Sequence, residues 1–306
     1  MKAKLLLLFL FSMSILGYGN QSINDYINIK GTRLLISPPK GFTPSKNFVG
    51  LDGGDKGIIQ VMDMVGGNFE SNTATYTRLE FEKRGVTVLD FKELTIDGFK
   101  AKFAHIVGNQ NMEGIQIVFG DATFSVMVNA FYPSQFREEQ FQTIKNSLLT
   151  MKYDKKMVVD PFAASHFLIH PNTSKFKFTE ASANMFLFSE NGIKKESYGN
   201  DPIAMITTYP FDTTMKKESL IDNMINELVQ QGFIKKEIKT TDAKSINGYD
   251  SFIAEVYFQH KSEEKLAYMA VLIKNDIVVF FNGMAQSKYE TNIVEFKKLI
   301  QAIKIK

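Results

Sequence analysis

The chain has no cysteine among its 306 residues. Disulfide bonds, cysteine nucleophiles and metal sites built on thiolates are therefore excluded on chemical grounds. A bacterial lipoprotein anchor, which needs a cysteine after the leader, is excluded as well. The fold must be stabilised by its apolar core, and a composition that is 44% hydrophobic is sufficient to build one.

The N-terminus lacks an apolar run of the about 20 residues that a membrane-spanning helix needs. Its apolar stretch, residues 5–16, follows Lys2 and Lys4 and precedes Gly17 and Gly19. This order is typical of a secretory signal peptide, with an uncleaved anchor as the alternative. We expect a leader over residues 1–19, a mature chain that begins near Asn20, and a periplasmic or secreted protein without a stable membrane anchor.

A strong charge of either sign is also missing, since 36 Lys and Arg face 33 Asp and Glu. Loss of Lys2 and Lys4 with the leader would lower the net charge from +3 to about +1. Nucleic-acid binding requires a clustered basic face that neutralises several phosphates together. Short pairs such as Lys194-Lys195 are typical of a solvated surface, so we expect no nucleic-acid partner.

Metal-binding motifs are missing too, and only four histidines are present: His105, His166, His170 and His260. The spacing of His166 and His170 would suit a metal ion on a helix. However, HFLIHP aligns with RLLISP, which has the pattern of a strand, and four strand positions span roughly 13 Å. We therefore expect structural or surface histidines and no metal site, and core or solvated positions for His105 and His260.

Catalytic and phosphate-binding motifs are equally absent. Asp52 and Asp55 lie in the glycine-rich segment GLDGGDKG, but an EF-hand loop would need alternating oxygen ligands and a final glutamate. A phosphate loop would need Gly-Lys-Ser/Thr, which Gly57-Ile58 does not supply. The segment is interpreted as an ordinary loop. No catalytic, cofactor-binding or metal-binding residue is assigned, although catalytic partners distant in sequence remain open.

What the chain does contain is a repeat. ELTIDGFKAKFA, with its turn at Asp97-Gly98, matches AKSINGYDSFIA, with its turn at Asn247-Gly248. Val128-Asn129-Ala130 matches Phe281-Asn282-Gly283 further along, and Arg84-Gly85-Val86 matches Gln231-Gly232-Phe233. Matches in the same order favour a tandem duplication. We expect two modules, residues 20–154 and 161–306, joined by a short charged linker.

Hydrophobic periodicity predicts the same elements in each module. Strands and hairpins with a helix after the first strands and another at the end indicate an α+β fold, an antiparallel meander sheet with two amphipathic helices. In the first module a helix is expected over 71–84, with Tyr76 and Leu79 inward, and another over 134–150. In the second module the apolar positions expected in the two helices are Leu220, Ile221, Met224, Ile225, Leu228, Val229, Ile293, Phe296, Ile300 and Ile303.

The opening ISPPKGF, the hairpin DGFKAKFA and the closing FYPSQFREEQFQTIKNSLLTMK resemble the PsbP-like family, with partial echoes in the second module. This family includes the extrinsic oxygen-evolving-complex protein and exported bacterial relatives. The resemblance implies an α/β/α sandwich and a binding or assembly role that is mostly non-enzymatic. It carries no binding residue onto this chain.

These observations lead to an expected function. The leading hypothesis is an exported, non-catalytic accessory protein of the cell envelope that binds a protein or small ligand, without a cofactor. The alternative is an exported hydrolase with its active site in a cleft between the modules, and a third possibility is pairing through a sheet edge. Residues 172–201, where the modules differ, are a candidate for function, and the segment 176–188 is interpreted as an extra hairpin, with a lid or a partner-binding edge as the alternatives.

Overall fold

The computed structural model describes most of the chain. The predicted leader, residues 1–19, lies outside the described residues. None of the described helices is both long and apolar enough to cross a membrane. The described residues are 25–65, 67–108, 111–170, 174–182, 184–195, 197–212, 214–217 and 219–306.

The first half of the chain forms a seven-stranded sheet with the order β3-β4-β5-β9-β8-β7-β6, in which all neighbours are antiparallel. A small separate sheet has the order β1-β2-β10. The elements are β1 (Ile27–Asn28), β2 (Leu34–Ile36), β3 (Thr43–Pro44), β4 (Gly50–Asp52), β5 (Ile58–Val65), α1 (Phe69–Asn72), α2 (Arg78–Lys83), β6 (Thr87–Ile96), β7 (Phe99–Val107), β8 (Met112–Gly120), β9 (Phe124–Pro133), α3 (Arg137–Leu149) and β10 (Lys152–Tyr153).

The second half forms another antiparallel seven-stranded sheet, with the order β12-β13-β14-β18-β17-β16-β15. Here β11 pairs with β19, as β2 pairs with β10 in the first half. The elements are β11 (Phe167–Ile169), β12 (Phe176–Ser182), β13 (Met185–Glu190), β14 (Ile203–Pro210), α4 (Ser219–Gln230), β15 (Ile234–Ile246), β16 (Tyr249–His260), β17 (Glu263–Lys274), β18 (Ile277–Ala285), α5 (Tyr289–Gln301) and β19 (Ile303–Ile305).

Both predicted hairpin turns are confirmed. Asp97 and Gly98 have φ values of 49° and 81°, and Asn247 and Gly248 have values of 54° and 80°. Two consecutive positive φ angles define the tight turn that matches the twist of the flanking strands, and Asx-Gly is the pair that adopts it at least cost. The turns join β6 to β7 and β15 to β16.

The helix expected over 71–84 is wrong as a single element, because the chain forms the short helices α1 and α2 instead. Thr77 separates them in an extended conformation, and its side chain accepts a hydrogen bond from the Glu80 backbone N–H as the N-cap of α2. Tyr76 is buried as expected, but Leu79 is 59% exposed. Two further assignments are corrected: Val229 is exposed, and Ile303 lies in β19 rather than in the last helix.

Each large sheet lies between two helical layers, because alternate strand residues are apolar on both faces. In the first half, α3 packs on one face through Ile144 and Leu148, and the α1–α2 segment packs on the other through Phe69 and Tyr76. In the second half, α5 covers one face and α4 covers part of the other. The fold is therefore α+β, as predicted, in a helix–sheet–helix arrangement.

Candidate functional site

The helix α4 covers only part of its sheet face. Its apolar side chains pack on residues of β16, β17 and β18, such as Val256, Met269 and Val278. The same face of β13 and β14 carries side chains that stay accessible: Met185 is 44% exposed and Tyr209 is 48% exposed. A groove therefore runs between α4 and the two strands.

This methionine groove encloses a cavity of about 460 Å³, within the range typical of ligand sites. Four methionines from four different parts of the second half converge on it, and thioether side chains adapt to irregular apolar partners. The groove is lined by Met185, Met205, Thr207, Tyr209, Pro210, Phe211, Asp212, Met215, Leu220, Asn223, Met224, Glu227, Leu228, Gln231, Val278, Phe280 and Asn282.

The charged side chains that line the methionine groove are both acidic, Asp212 and Glu227. Asp212 accepts hydrogen bonds from the hydroxyl and the backbone N–H of Thr214, at 2.7 and 2.8 Å. These bonds lower the pKa of the Asp212 carboxyl below its ordinary value, so it is ionised at neutral pH. The groove therefore combines an apolar floor with a negatively charged rim.

Asn282 adds a polar group to the wall of this groove. Its Oδ1 is buried and has no hydrogen-bond partner within the described part of the chain. A buried polar atom without a partner costs free energy unless a donor reaches it. The amide therefore favours an occupant, or a small local shift, that brings a donor to Asn282.

A second depression, the junction cleft, lies between the two halves and has a volume of about 350 Å³. Arg33 and Asp63 from the first half face Glu180 and Lys194 from the second. Asp63 accepts hydrogen bonds from the Arg33 backbone N–H and the Tyr153 hydroxyl, both at 2.8 Å. Burial raises the pKa of Asp63 despite these bonds.

The charged groups of the junction cleft are paired with each other. Lys194 Nζ lies 2.6 Å from Glu180 Oε2, and Arg33 lies 3.9 Å from Asp63. The hydroxyl of Thr179, also in this cleft, lies 2.8 Å from the hydroxyl of Ser189. The cleft anticipated for a hydrolase exists, but its carboxylates serve as ion-pair and hydrogen-bond acceptors.

A buried polar cluster surrounds Glu113 on β8. His105 Nε2 lies 3.0 Å from Glu113 Oε2 and 3.0 Å from the Tyr132 hydroxyl, while Arg137 donates to Glu113 Oε1 at 2.6 Å. Burial opposes ionisation of Glu113, but the bonds from Arg137 and His105 outweigh it and lower its pKa. Burial lowers the pKa of His105, so its imidazole is neutral at pH 7. The Phe141 ring stacks on this imidazole, which marks the cluster as part of the core.

Three other candidate residues from the sequence, His166, His170 and Asp52, lie outside the methionine groove and the junction cleft. His166 and His170 flank the strand β11, as expected from the alignment with the first half. Asp52 accepts a hydrogen bond from the Gly54 backbone N–H in the loop after β4. Residues 176–182 and 185–190 form the hairpin β12–β13. Among the described residues, no group of three or more His, Asp or Glu side chains has the geometry of a metal site.

The sheet edges carry features that disfavour strand addition. The edge strands β6, β12 and β15 each contain a bulge or register shift, and β3 is a two-residue strand that contains Pro44. The long edge strand β15 also presents Lys235, Lys236 and Lys239 to solvent. Bulges, lysines and proline are the means by which proteins protect edges from pairing, so the sheet faces are better candidates for binding than the edges.

Known proteins resemble this chain in fold and very little in sequence. No family model and no curated protein matches the chain. Similar solved structures include the cyanobacterial PsbP of Synechocystis, at 7% identity and a TM-score of 0.32, covering 44% of this chain and 96% of that one. The T6SS immunity protein TplEi of Pseudomonas aeruginosa, at 10% identity and a TM-score of 0.35, covers 92% of this chain and 97% of that one. A Tle4–Tli4 complex matches at 10% identity and a TM-score of 0.36, covering 92% and 97%. The PsbP-like fold that the sequence resembles is present among these structures.

Proposed function

We propose that the chain is an exported, non-catalytic binding protein of two tandem PsbP-like modules, and that it binds an apolar surface of its ligand in the methionine groove. The observation that carries this proposal is the convergence of Met185, Met205, Met215 and Met224 on one accessible cavity. Clustered methionines that are accessible to solvent expose an apolar patch, which is typical of a binding site. Their flexible thioether side chains can adapt to the surface of a ligand.

The tandem organisation is supported by the shared strand order of the two large sheets. In each half, a strand near the start pairs antiparallel with a strand after the last helix, β2 with β10 and β11 with β19. Chains that duplicate a module reproduce such closing contacts in both copies. These contacts support the proposed modules, residues 20–154 and 161–306.

Export is proposed from the sequence of residues 1–19, whose charge, apolar stretch and small residues match a leader. N-terminal sequencing of the protein recovered from the periplasm or the medium should give a chain that begins near Asn20. A protein that keeps Lys2 and Lys4 and stays with the membranes would contradict this part of the proposal.

A non-catalytic role is supported by the way in which the buried ionisable groups are used. Glu113 and Asp63 each accept hydrogen bonds from two or more groups of the chain, as structural carboxylates do. The methionine groove is lined mainly by thioethers, aliphatic and aromatic side chains and amides, with its two carboxylates, Asp212 and Glu227, at the rim, and this lining suits the binding of an apolar surface.

The binding proposal can be tested with Nile red, a neutral dye that fluoresces in apolar surroundings. Titration of the wild-type protein should give saturable fluorescence. Thr207 is half-buried on the groove floor, so Thr207→Trp should occupy part of the cavity and weaken the signal. Met62→Trp is the matched control, because Met62 holds the corresponding position in the first sheet and should leave the signal intact.

If Thr207→Trp binds the dye as wild type does, or if wild type gives no saturable signal, the groove is not a binding site. Circular dichroism of both variants establishes that they are folded.

A further inference from the structure

We infer that the methionine groove takes a basic amphipathic helix of about three turns from a protein partner, which lies beside α4 and over β13 and β14. The inference rests on the proposed function and specifies the partner. It follows from the width, length, surface chemistry and charge of the groove.

The width of the uncovered surface matches a helix. Neighbouring strands lie about 4.8 Å apart, and a helix with its side chains is about 10 Å across. One helix therefore covers about two strands, and β13 and β14 are two adjacent strands beside the surface that α4 covers. Met205 and Thr207 on β14 are half-buried and form the floor on which such a helix would rest.

The length of the groove corresponds to all of α4. Its wall follows one stripe of this helix from Leu220 through Met224 to Leu228 and continues to Gln231 directly after the helix, at the spacings that place residues on one helical face. Eleven residue steps at about 1.5 Å each give roughly 16 Å, or three helical turns. A partner helix of that length could pack side by side with α4.

The face of a sheet restricts the backbone conformation of a bound segment. The backbone groups of β13 and β14 already pair with β12, β18 and each other. A peptide on this face must therefore satisfy its own backbone hydrogen bonds, which a helix does and an extended strand does not. The protected sheet edges disfavour the extended mode as well.

The charge of the groove indicates the charge of the partner. The charged residues that line the groove are Asp212 and Glu227, and both are acidic. Elsewhere on α4, Asp222 is also acidic and no basic residue is present. A helix with leucine-like anchors on one side and Lys or Arg along its flanks would place cations against this rim, whereas an acidic helix would be repelled.

The experiment uses three synthetic peptides of about 18 residues, long enough to form a helix when bound. The first has a leucine face and a lysine face, the second replaces each lysine with glutamate, and the third keeps the composition of the first but scrambles its spacing. Each is titrated into the full mature chain, with Nile red displacement and circular dichroism as readouts. The first peptide should displace the dye and gain helicity, and the other two should bind at least about tenfold more weakly.

Substitutions on α4 test whether the negative charge of the groove rim contributes to peptide binding. Glu227→Gln should weaken binding of the basic peptide by about threefold, as expected for one exposed ion pair. Asp222→Asn is the matched control, because Asp222 is exposed on α4 outside the groove, and it should change binding less than Glu227→Gln. Added salt should weaken binding of the lysine peptide and leave Nile red binding unchanged.

The outcomes separate the two proposals. If Nile red binds in the groove but the glutamate or scrambled peptide binds as tightly as the lysine peptide, the inference about the partner is wrong and the binding function stands. If neither the dye nor any peptide binds, both fail.

Discussion

Asn129 and Asn282 hold the same position in the two large sheets, yet their neighbours differ in chemistry. Asn129 pairs with Gln60 and Gln116, whereas Asn282 pairs with Met205 and Met269. In both residues Oδ1 is buried and has no partner among the described residues. The shared asparagine fits the proposed duplication, and its two neighbours are amides in the first half and thioethers in the second.

This difference predicts what happens when the neighbours of the two asparagines are exchanged between the halves. Met205→Gln gives the groove floor the side chain of the first half and should weaken Nile red binding severalfold, because an amide resists transfer to an apolar contact. The reciprocal change, Gln60→Met, should leave dye binding unchanged. Fluorescence titration measures both, and equal effects of the two substitutions would argue against a groove specific to the second half.

The contact between Gly283 and Phe296 predicts a loss of stability. A Cβ at Gly283 would lie 2.7 Å from the ring of Phe296, which is fully buried. Gly283→Ala should therefore lower the free energy of unfolding by about 2 kcal/mol through overpacking. Urea denaturation gives this value.

The first half supplies the control for this prediction. In the first half, Ala130 holds the position of Gly283 and Ile144 holds that of Phe296, and both are fully buried in one core. There the strand residue is larger than Gly283 and the helix residue is smaller than Phe296. The double variant Gly283→Ala, Phe296→Ile should lose less stability than the sum of the two single variants. Simple additivity would show that the positions do not compensate.

The pairing of Arg137 with Glu113 predicts a second stability effect. Arg137→Ala removes the guanidinium from a carboxylate that is completely buried, although Arg137 itself is 50% exposed. The expected loss is about 1.5 kcal/mol, at the low end for a hydrogen bond to a charged group because water can reach this side. Arg84→Ala, at an exposed position, should cost under about 0.5 kcal/mol. Similar small losses for both variants would show that Arg137 does not stabilise the buried Glu113 carboxylate.

Burial of His105 predicts that stability falls as the solution becomes more acidic. Its pKa in the folded protein is below the ordinary value of 6.5, so the unfolded chain takes up a proton at higher pH than the folded protein does. The contribution of neutral, buried His105 to stability is fully present above pH 6.5 and is lost as the pH falls below 6.5. Burial of His166 acts in the same direction.

His105→Gln should reduce this dependence. Melting temperatures measured between about pH 8 and about pH 5.5 should fall less steeply for the variant than for wild type, with the remaining slope supplied in part by His166. Below this range the depressed pKa of Glu113 adds a further loss in both proteins. An unchanged slope in the variant would show that His105 does not titrate differently on folding.

The strands and hairpins could be predicted because their signals are local. Asp97-Gly98 and Asn247-Gly248 specify their turns by themselves, and alternation of apolar residues identifies the strands around them. The interruption at Thr77 was missed because a threonine that caps one short helix can also continue a longer one. Ile303 kept the helical spacing, but pairing with Ile169 placed it in a strand.

The candidate site could not be predicted in the same way. Met185, Met205 and Met224 lie on three different elements, and a methionine in an apolar pattern is interpreted as core unless the neighbouring layer is known. The partner of His105 was missed for a related reason, since Glu113 becomes its neighbour only through the register of β7 and β8. Once strand order is known, the positions of Met185, Met205 and Glu113 follow from the pattern of alternating faces, whereas that of Met224 also requires the packing of α4.

Binding in the methionine groove can be observed by NMR of the protein labelled with ¹³C at the methionine methyl groups. The chain has 14 methionines, which makes the spectrum assignable by single substitutions. Addition of Nile red or the lysine peptide should shift the signals of Met185, Met205, Met215 and Met224, and leave that of Met62 in place. Shifts that spare these four methyl groups, or that affect Met62 equally, would show that neither ligand binds specifically in the methionine groove.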